Sequence, residues 1–381
     1  MYYVVHHSAD FDGYFSGIIT AAYLQVADKG EKIVMVPYNY QEKVYVKINE
    51  TEKRDLLDIV TEDDIVYFVD CLNIHGNYYE NLMKKTEEVI VIDHHATSKQ
   101  FLFYHRTSDQ TVSEDSSEKG EDGRLLKPYS AALLCYKHFF DKLNKYFDFK
   151  VPDHLQLVSD HDIWNKETRF GWNVVQNFHY GLCNLISMEE IGRIDIKGNT
   201  FLSYYRGVFE YLLCDEEYRK GVDFIYDSER LYIDTIGITK NGKEVAKYIG
   251  AQNKNLITKF GIKCSVELKN PEMKEDTKTF KNCILVVTNS GNSSLFEETL
   301  GNFEDFDLCI INVPLYTENG CISEKGVQSK FTFITGKESV HAGNVCSFLD
   351  GGGHKGIGGC KGFFNIEYDE EKNAKVTITH L

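Results

Sequence analysis

The stretch "VIVIDHHATS", Val89–Ser98, decides the fold and poses the functional question. Val89 to Ile92 are four β-branched residues in a row, a pattern suited to a strand buried on both faces. The run then ends in Asp93, His94 and His95, one carboxylate and two imidazoles side by side. Polar groups at the carboxyl end of a buried parallel strand are where open α/β sheets place their ligands. A lone histidine is ordinarily a core or surface residue. Two adjoining histidines after an aspartate at a strand end carry more weight.

Working outward, apolar strand-like runs alternate with helical patterns through the first hundred residues. "YYVVH" (2–6) precedes "FSGIITAAYLQVADKG", whose apolar spacing and terminal Gly30 suit an amphipathic helix. "KIVMVPY", a polar helical stretch, "DIVYFVD" (64–70) and a helical stretch around "NYYENLMKKTEE" follow. This alternation predicts an α/β domain with a parallel sheet flanked by helices. Residues 107–127 are acidic and Ser-rich and read as a mobile surface insertion. Helical pattern resumes at "PYSAALLCYKHFFDKL", with Pro128 near its start. A break falls near 235–242, before "VAKYIGAQNKNLITKFG". Strand-like "NCILVVTN", "FDLCIINV" and "SKFTFIT" then lead to the Gly-rich "DGGGHKGIGGCKGFF". The expected layout is a first domain over 1–238, a linker helix over 239–260 and a smaller C-terminal α/β domain over 261–381.

At 381 residues the chain has room for more than one core. Hydrophobic residues at 42% and charged residues at 26% place it among soluble globular proteins. The beginning, "MYYVVHHSADFDG", does not read as a signal peptide, and no apolar run reaches membrane-spanning length. Ten scattered cysteines without a C-x-x-C pair favour reduced thiols and a cytoplasmic location. A formal net charge of −16 opposes binding of long duplexes without excluding a local pocket for a short phosphorylated ligand.

Four stations along the first domain carry ligand chemistry. "HHSADFDG" gives His6, Asp10 and Asp12 at H-x3-D-x-D spacing, with a tight turn and Asp12 as a helix N-cap as the bland reading. Asp70 ends the "DIVYFVD" strand. Asp93, His94 and His95 form the third station, and Asp160 or Asp162 in "LVSDHDIW" the fourth. Carboxylate and imidazole together suit Mn2+, with Mg2+, Zn2+, Co2+ and Fe2+ as competitors. Acids and histidines recurring at strand ends are the arrangement expected of a two-metal site. In "GGGHKGIGG", Gly351, Gly352 and Gly353 allow close approach of backbone N–H groups to phosphate, and His354 and Lys355 add donors.

The ordered series H-x3-D-x-D-G, FVD, VIDHH, SDHD and GGGH resembles the DHH phosphoesterase superfamily over nearly the whole chain. It is similar to the branch holding RecJ-type exonucleases, nanoRNases and cyclic-dinucleotide phosphodiesterases. The resemblance implies a metal-dependent phosphodiesterase with a catalytic DHH domain followed by a substrate-binding domain bearing GGGH. It implies that His6, Asp10 and Asp70 hold one divalent ion, and that Asp12, Asp70, His94 and Asp160 hold another, with Asp70 bridging. Asp93 would orient a histidine and His95 would meet the transferred phosphoryl group. His7 has no matching role and stands as packing or as an alternative ligand.

The expected substrates are oligoribonucleotides of a few residues or cyclic mono- or dinucleotides, hydrolysed by a metal-activated water. Competing readings are a phosphomonoesterase on a 3′,5′-bisphosphonucleotide, a polyphosphate or pyrophosphate hydrolase, and a nucleotide-binding sensor. No membrane partner is expected, and a homodimer is compatible with the sequence. One departure is Ile334, which falls where relatives often carry an arginine.

Overall fold

The computed structural model describes residues 1–40, 42–72, 77–86, 88–95, 111–112, 129–143, 150–213, 233–273, 276–288, 305–315, 322–323, 326–337, 339–353 and 356–381. The chain divides into two compact units, Met1–Val245 and Ala246–Leu381.

In the first unit the order is β1 (Tyr2–His7), α1 (Phe11–Ala27), β2 (Ile33–Tyr38), β3 (Tyr45–Lys47), β4 (Lys53–Asp55) and α2 (Leu56–Ile59). β5 (Ile65–Val69), α3 (Tyr78–Met83), β6 (Glu88–Asp93), β7 (Thr111–Val112) and α4 (Ala131–Leu143) follow. The unit finishes with α5 (Asp153–Asp162), α6 (Trp172–Leu185), α7 (Met188–Ile191), α8 (Thr200–Leu213) and the start of α9 (Thr235–Phe260). Five strands form one sheet in the order β2-β1-β5-β6-β7, and every pairing in it is parallel.

Side chains alternate across this sheet with the two-residue period of a strand. Val4, Tyr67, Val69, Ile90 and Ile92 join a core with residues of α1, α4, α5, α6 and α8. Val5, Val36, Val66, Phe68, Val89 and Val91 join the opposite core with Leu56, Tyr78 and Leu82. Both faces are covered, which is why β6 reads as an unbroken β-branched run. All four parallel strands from β2 to β6 end at one edge, and that edge receives His6, His7, Asp70 and Asp93.

Several expectations are corrected. The polar stretch after β2 is a β3–β4 hairpin with a short helix instead of a longer helix. Asn49 favours the turn, because its side-chain oxygen accepts from the amides of Thr51 and Glu52. Within 107–127, Thr111–Val112 form an edge strand on β6; the rest of that segment lies outside the described residues. The helix expected over 239–260 begins earlier: α9 is continuous from Thr235 to Phe260, and the division between the two units falls within it. Asp234 accepts from the Gly237 amide at the start of α9, and Gly242 packs so closely on Asn177 and Gly181 of α6 that a Cβ would collide with them. Gly242 thus marks a close crossing of α9 and α6.

The second unit is β-rich. β8 (Ile262–Lys269), β9 (Thr277–Val287), β10 (Leu308–Pro314), β11 (Ile322–Ser323) and β12 (Gly326–Ile334) precede α10 (Ala342–Ser347), β13 (Gly352–Gly353), β14 (Ile357–Tyr368) and β15 (Ala374–Thr379). The eight strands run β11-β12-β10-β9-β8-β15-β14-β13, and an extra β12–β14 pairing joins the two ends. Ile334 is 1% exposed and packs with Ile284, Val286 and Cys309, an apolar setting that would not accept an arginine. No helix among the described residues is long and apolar enough to cross a membrane. The eight described cysteines are free, and all but Cys183 are buried.

A close contact places α1 on the sheet edge. A Cβ at Gly13 would collide with the carbonyl oxygen and Cβ of His7, so α1 begins in direct contact with the end of β1. Gly13→Ala should lower stability by about 1–3 kcal/mol in urea denaturation. Gly192→Ala is the control: a Cβ there meets only ordinary contacts, so stability should stay within about 0.5 kcal/mol.

Candidate metal centre

Strand alternation divides the first two histidines. Val4 faces the α1 side and Val5 the opposite side, so His6 follows Val4 and lies beneath Gly17 of α1. His6 is 0% exposed. Its Nδ1 is 3.1 Å from the His7 carbonyl, a geometry that puts the proton on Nδ1 and leaves the Nε2 lone pair buried without a partner. Burial lowers its pKa to about 4, so the ring is neutral near physiological pH.

His7 turns the other way. Its Nδ1 lies 2.8 Å from Asp10 Oδ2 and 3.5 Å from Asp70 Oδ2. Burial opposes protonation there, but those two carboxylates prevail and raise the pKa well above its usual value. Asp10 is the N-cap of α1, accepting from the Gly13 amide at 2.9 Å. Asp12 sits in the first turn instead, and its oxygens accept from the Ala131 and Ala132 amides at 2.7 and 3.0 Å. These amides open α4, whose helix terminus favours a negative charge.

Asp70 follows β5 in a left-handed conformation, φ 58°. One oxygen faces His7 and the other lies 3.4 Å from His94 Nε2. Burial pushes its pKa up, but the neighbouring His7, His94 and His95 outweigh that and hold the carboxyl well below the usual range. His94 Nε2 is also 3.8 Å from Asp12 and 3.5 Å from Asp162. Desolvation lowers its pKa, but Asp70, Asp12 and Asp93 outweigh that and raise the value to about 9. Asp12 is raised to about 7, first by burial and then by Asp70.

Asp93 acts differently. Its Oδ1 accepts from the amides of His94 and His95 and lies 2.7 Å from His95 Nδ1. Burial opposes ionisation of Asp93, but His95 lowers its pKa; Asp93 in turn holds His95 above the ordinary histidine value.

The fourth station differs from the expectation in two respects. Its aspartates end helix α5, not a strand. Asp160 is buried, but its carboxylate accepts from Gln156, Asn165 and Thr168 and is not drawn into the cluster. Asp162 is the acid that reaches His94, and its Oδ2 is buried without a hydrogen-bond partner. Burial and the nearby Asp12 and Asp70 raise its pKa well above the usual value.

Among the described residues, three groupings bring ligand atoms within 4.8 Å of one another: His7–Asp10–Asp70, Asp70–His94–His95 and Asp12–His94–Asp162. Buried oxygens of Asp70 and Asp162 and the Nε2 of His6 lack hydrogen-bond partners. Buried polar atoms in that state are costly unless something binds them. Their oxygen and imidazole chemistry fits divalent cations. His6 stands outside the three groupings, and His7, which lacked a role in the sequence, stands inside one. Gly352–Gly353 pair with Gly358–Gly359 in the second unit. His354 and Lys355 lie outside the described residues.

Residues 1–166 match the DHH family, N-terminal domain. No curated protein matches the sequence. Among solved structures, the chain is similar to the pGpG-specific phosphodiesterase PggH from Vibrio cholerae. Identity is 14%, coverage is 95% of this chain and 93% of that one, and the TM-score is 0.39. RecJ from Thermus thermophilus, in complex with Mn2+, is 16% identical over 94% of this chain and 49% of RecJ, with a TM-score of 0.38. This chain therefore spans about half of RecJ's length. An exopolyphosphatase-related protein from Bacteroides fragilis is 12% identical over 94% and 86% of the two chains, with a TM-score of 0.35.

A ligating imidazole must be neutral and a ligating carboxylate ionised. With His94 protonated up to about pH 9 and Asp12 up to about pH 7, uptake of Mn2+ at pH 7 should release protons. Affinity should rise with pH from about 6 to 9. Both folded pKa values are raised, so their contribution to stability without metal is lost as pH rises, through about 7 for Asp12 and about 9 for His94. Calorimetry in buffers of different ionisation enthalpy measures the released protons, and uptake with none at pH 7 would contradict this arrangement.

Proposed function

We propose that this chain, whose residues 1–166 belong to the DHH family N-terminal domain, is a metal-dependent phosphoesterase acting on short phosphodiesters, oligoribonucleotides or cyclic nucleotides. The observation that carries this reading is the division of Asp70, with one carboxylate oxygen turned to His7 and the other to His94. A carboxylate shared in this way is suited to bridging two cations.

Asp10 and Asp70, with His6 or His7, would hold one ion; Asp12, Asp70, His94 and Asp162 would hold the second. We assign Asp162 in place of Asp160, because the Asp160 carboxylate is already occupied by three side chains. We take Mn2+ as the preferred metal, given the mixture of carboxylate and imidazole donors. Bound divalent ions supply charge neutralisation for the phosphodiester and a nucleophilic water at neutral pH.

The remaining chemistry belongs to the chain. Asp93 holds Nδ1–H of His95 and outweighs desolvation to raise its pKa, which favours Nε2–H as the donor to the leaving oxygen. Water adds to phosphorus and sheds a proton to solvent, and the P–O bond to the leaving group breaks. The proton from His95 completes the departing hydroxyl, and a proton from solvent restores His95. Gly351–Gly353, followed by His354 and Lys355, are assigned to the substrate phosphate. The net charge of −16 favours short substrates over long polyanions.

Hydrolysis of bis(p-nitrophenyl) phosphate with Mn2+, followed by a panel of di- to pentaribonucleotides and cyclic mono- and dinucleotides, tests the activity. No turnover of any of them would sink the reading. Asp70→Ala should reduce hydrolysis to background. Asp162→Asn should weaken Mn2+ binding and hydrolysis at least about tenfold, whereas Asp160→Asn should retain most of both; equal losses would reverse the assignment.

A further inference from the structure

We propose that Tyr40 contacts substrate in this centre, its phenol donating a hydrogen bond to a nonbridging oxygen of the phosphoryl group bound beside Asp70. The proposal rests on the phosphoesterase reading above and adds a residue to it.

Tyr40 lies two residues beyond β2, at the sheet edge that receives His7, Asp70 and His94. The Ser8 amide and hydroxyl both donate to the Tyr38 carbonyl, at 3.0 and 3.2 Å, tying the chain just before Tyr40 to the loop that carries Asp10. The Tyr40 ring is 5.1 Å from His7 and 6.2 Å from His95. Those histidines belong to different ligand groupings, which share Asp70. Tyr40 therefore spans the place where the groupings meet.

Its exposure is that of a residue that meets a ligand. Tyr40 is 42% exposed, whereas Tyr38, whose ring is 5.9 Å away, is 3% exposed. The ring lies against one histidine that faces Asp10 and Asp70 and another that faces Asp93. Its backbone is left-handed, φ 47°, a costly conformation for a bulky residue and one that persists where the surroundings impose it. An extended residue here would direct its side chain elsewhere.

The chemistry is complementary. A phosphodiester presents nonbridging oxygens that accept hydrogen bonds, and a phenol near neutral pH is an O–H donor. His95 is assigned to the leaving oxygen, so Tyr40 supplies a donor for a different oxygen. A hydrogen bond to a charged acceptor is stronger than a neutral one.

Tyr40→Phe keeps the ring against His7 and His95 and removes only the hydroxyl. In the full-length protein loaded with Mn2+, affinity for inorganic phosphate measured by calorimetry should fall about tenfold or more. Mn2+ affinity should be unchanged, and kcat on bis(p-nitrophenyl) phosphate should fall by a similar factor. Tyr38→Phe, a nearby phenol buried away from the centre, should leave phosphate affinity as in the wild type. Unchanged phosphate affinity in Tyr40→Phe overturns the proposal even if the wild type is an active phosphoesterase. A loss of phosphate affinity in a protein that hydrolyses nothing upholds Tyr40 and removes the phosphoesterase reading. A metal-loaded wild type that does not bind phosphate overturns the Tyr40 proposal, while the phosphoesterase reading stands or falls on turnover alone.

Discussion

The first unit is organised around the carboxylate of Asp70, 1% exposed, with an imidazole facing each oxygen. Asp12 and Asp93 are equally hidden, and Asp162 is partly so. Like charges this close and this dry cannot all be ionised without compensation. The opposite shifts of neighbouring groups express that conflict, with Asp70 driven down and Asp12 and Asp162 driven up. Histidines supply part of the compensation, and the amides at the start of α4 supply another part to Asp12. Divalent cations are the remaining charge that would let all the acids ionise together.

Much of the architecture serves to hold that conflict in one place. Parallel strands end at a common edge, and a two-residue period decides which face each side chain meets. The Asp10 cap and the Gly13 contact fix the start of α1 against β1. Both faces of the sheet are apolar and covered, so the acids gather at the strand ends between two apolar layers. The same burial that stabilises the unit thus makes the centre electrostatically costly, and binding a cation should return part of that cost as stability.

The strand–helix alternation and three of the four stations are legible in the sequence, because buried parallel strands leave β-branched runs followed by polar residues. The fourth station offers two acids, Asp160 and Asp162, which the fold treats differently. Leu155, Val158 and Asp162 fall at i, i+3 and i+7 on α5, so Asp162 continues the stripe of two core residues. Asp160 is off that stripe, and its carboxylate accepts from Gln156 one turn earlier. Helical periodicity applied to "LVSDHDIW" would have separated the two acids. His7 is a different case: alternation shows that it faces away from His6, but only the fold shows that Asp10 and Asp70 await it there. Tyr40 leaves no signal in the sequence, because its position depends on a backbone turn that no tyrosine advertises.

That turn belongs to a pattern. Five described non-glycine residues have positive φ: Tyr40, Asp70, Trp164, Asp350 and Lys372. Asp70 is in the centre, Tyr40 packs against two of its histidines, and Trp164 is two residues beyond Asp162. Each such conformation costs on the order of 1–3 kcal/mol, a large share of the roughly 5–15 kcal/mol by which a native protein is stable. For Asp70 the geometry explains the strain. Val69 faces the α1 side and Cys71 the other, so an extended Asp70 would be committed to one face of the sheet. The left-handed turn stops the strand and lets one carboxylate address His7 and His94 at once. The strain is the structural condition for sharing that carboxylate between His7 and His94.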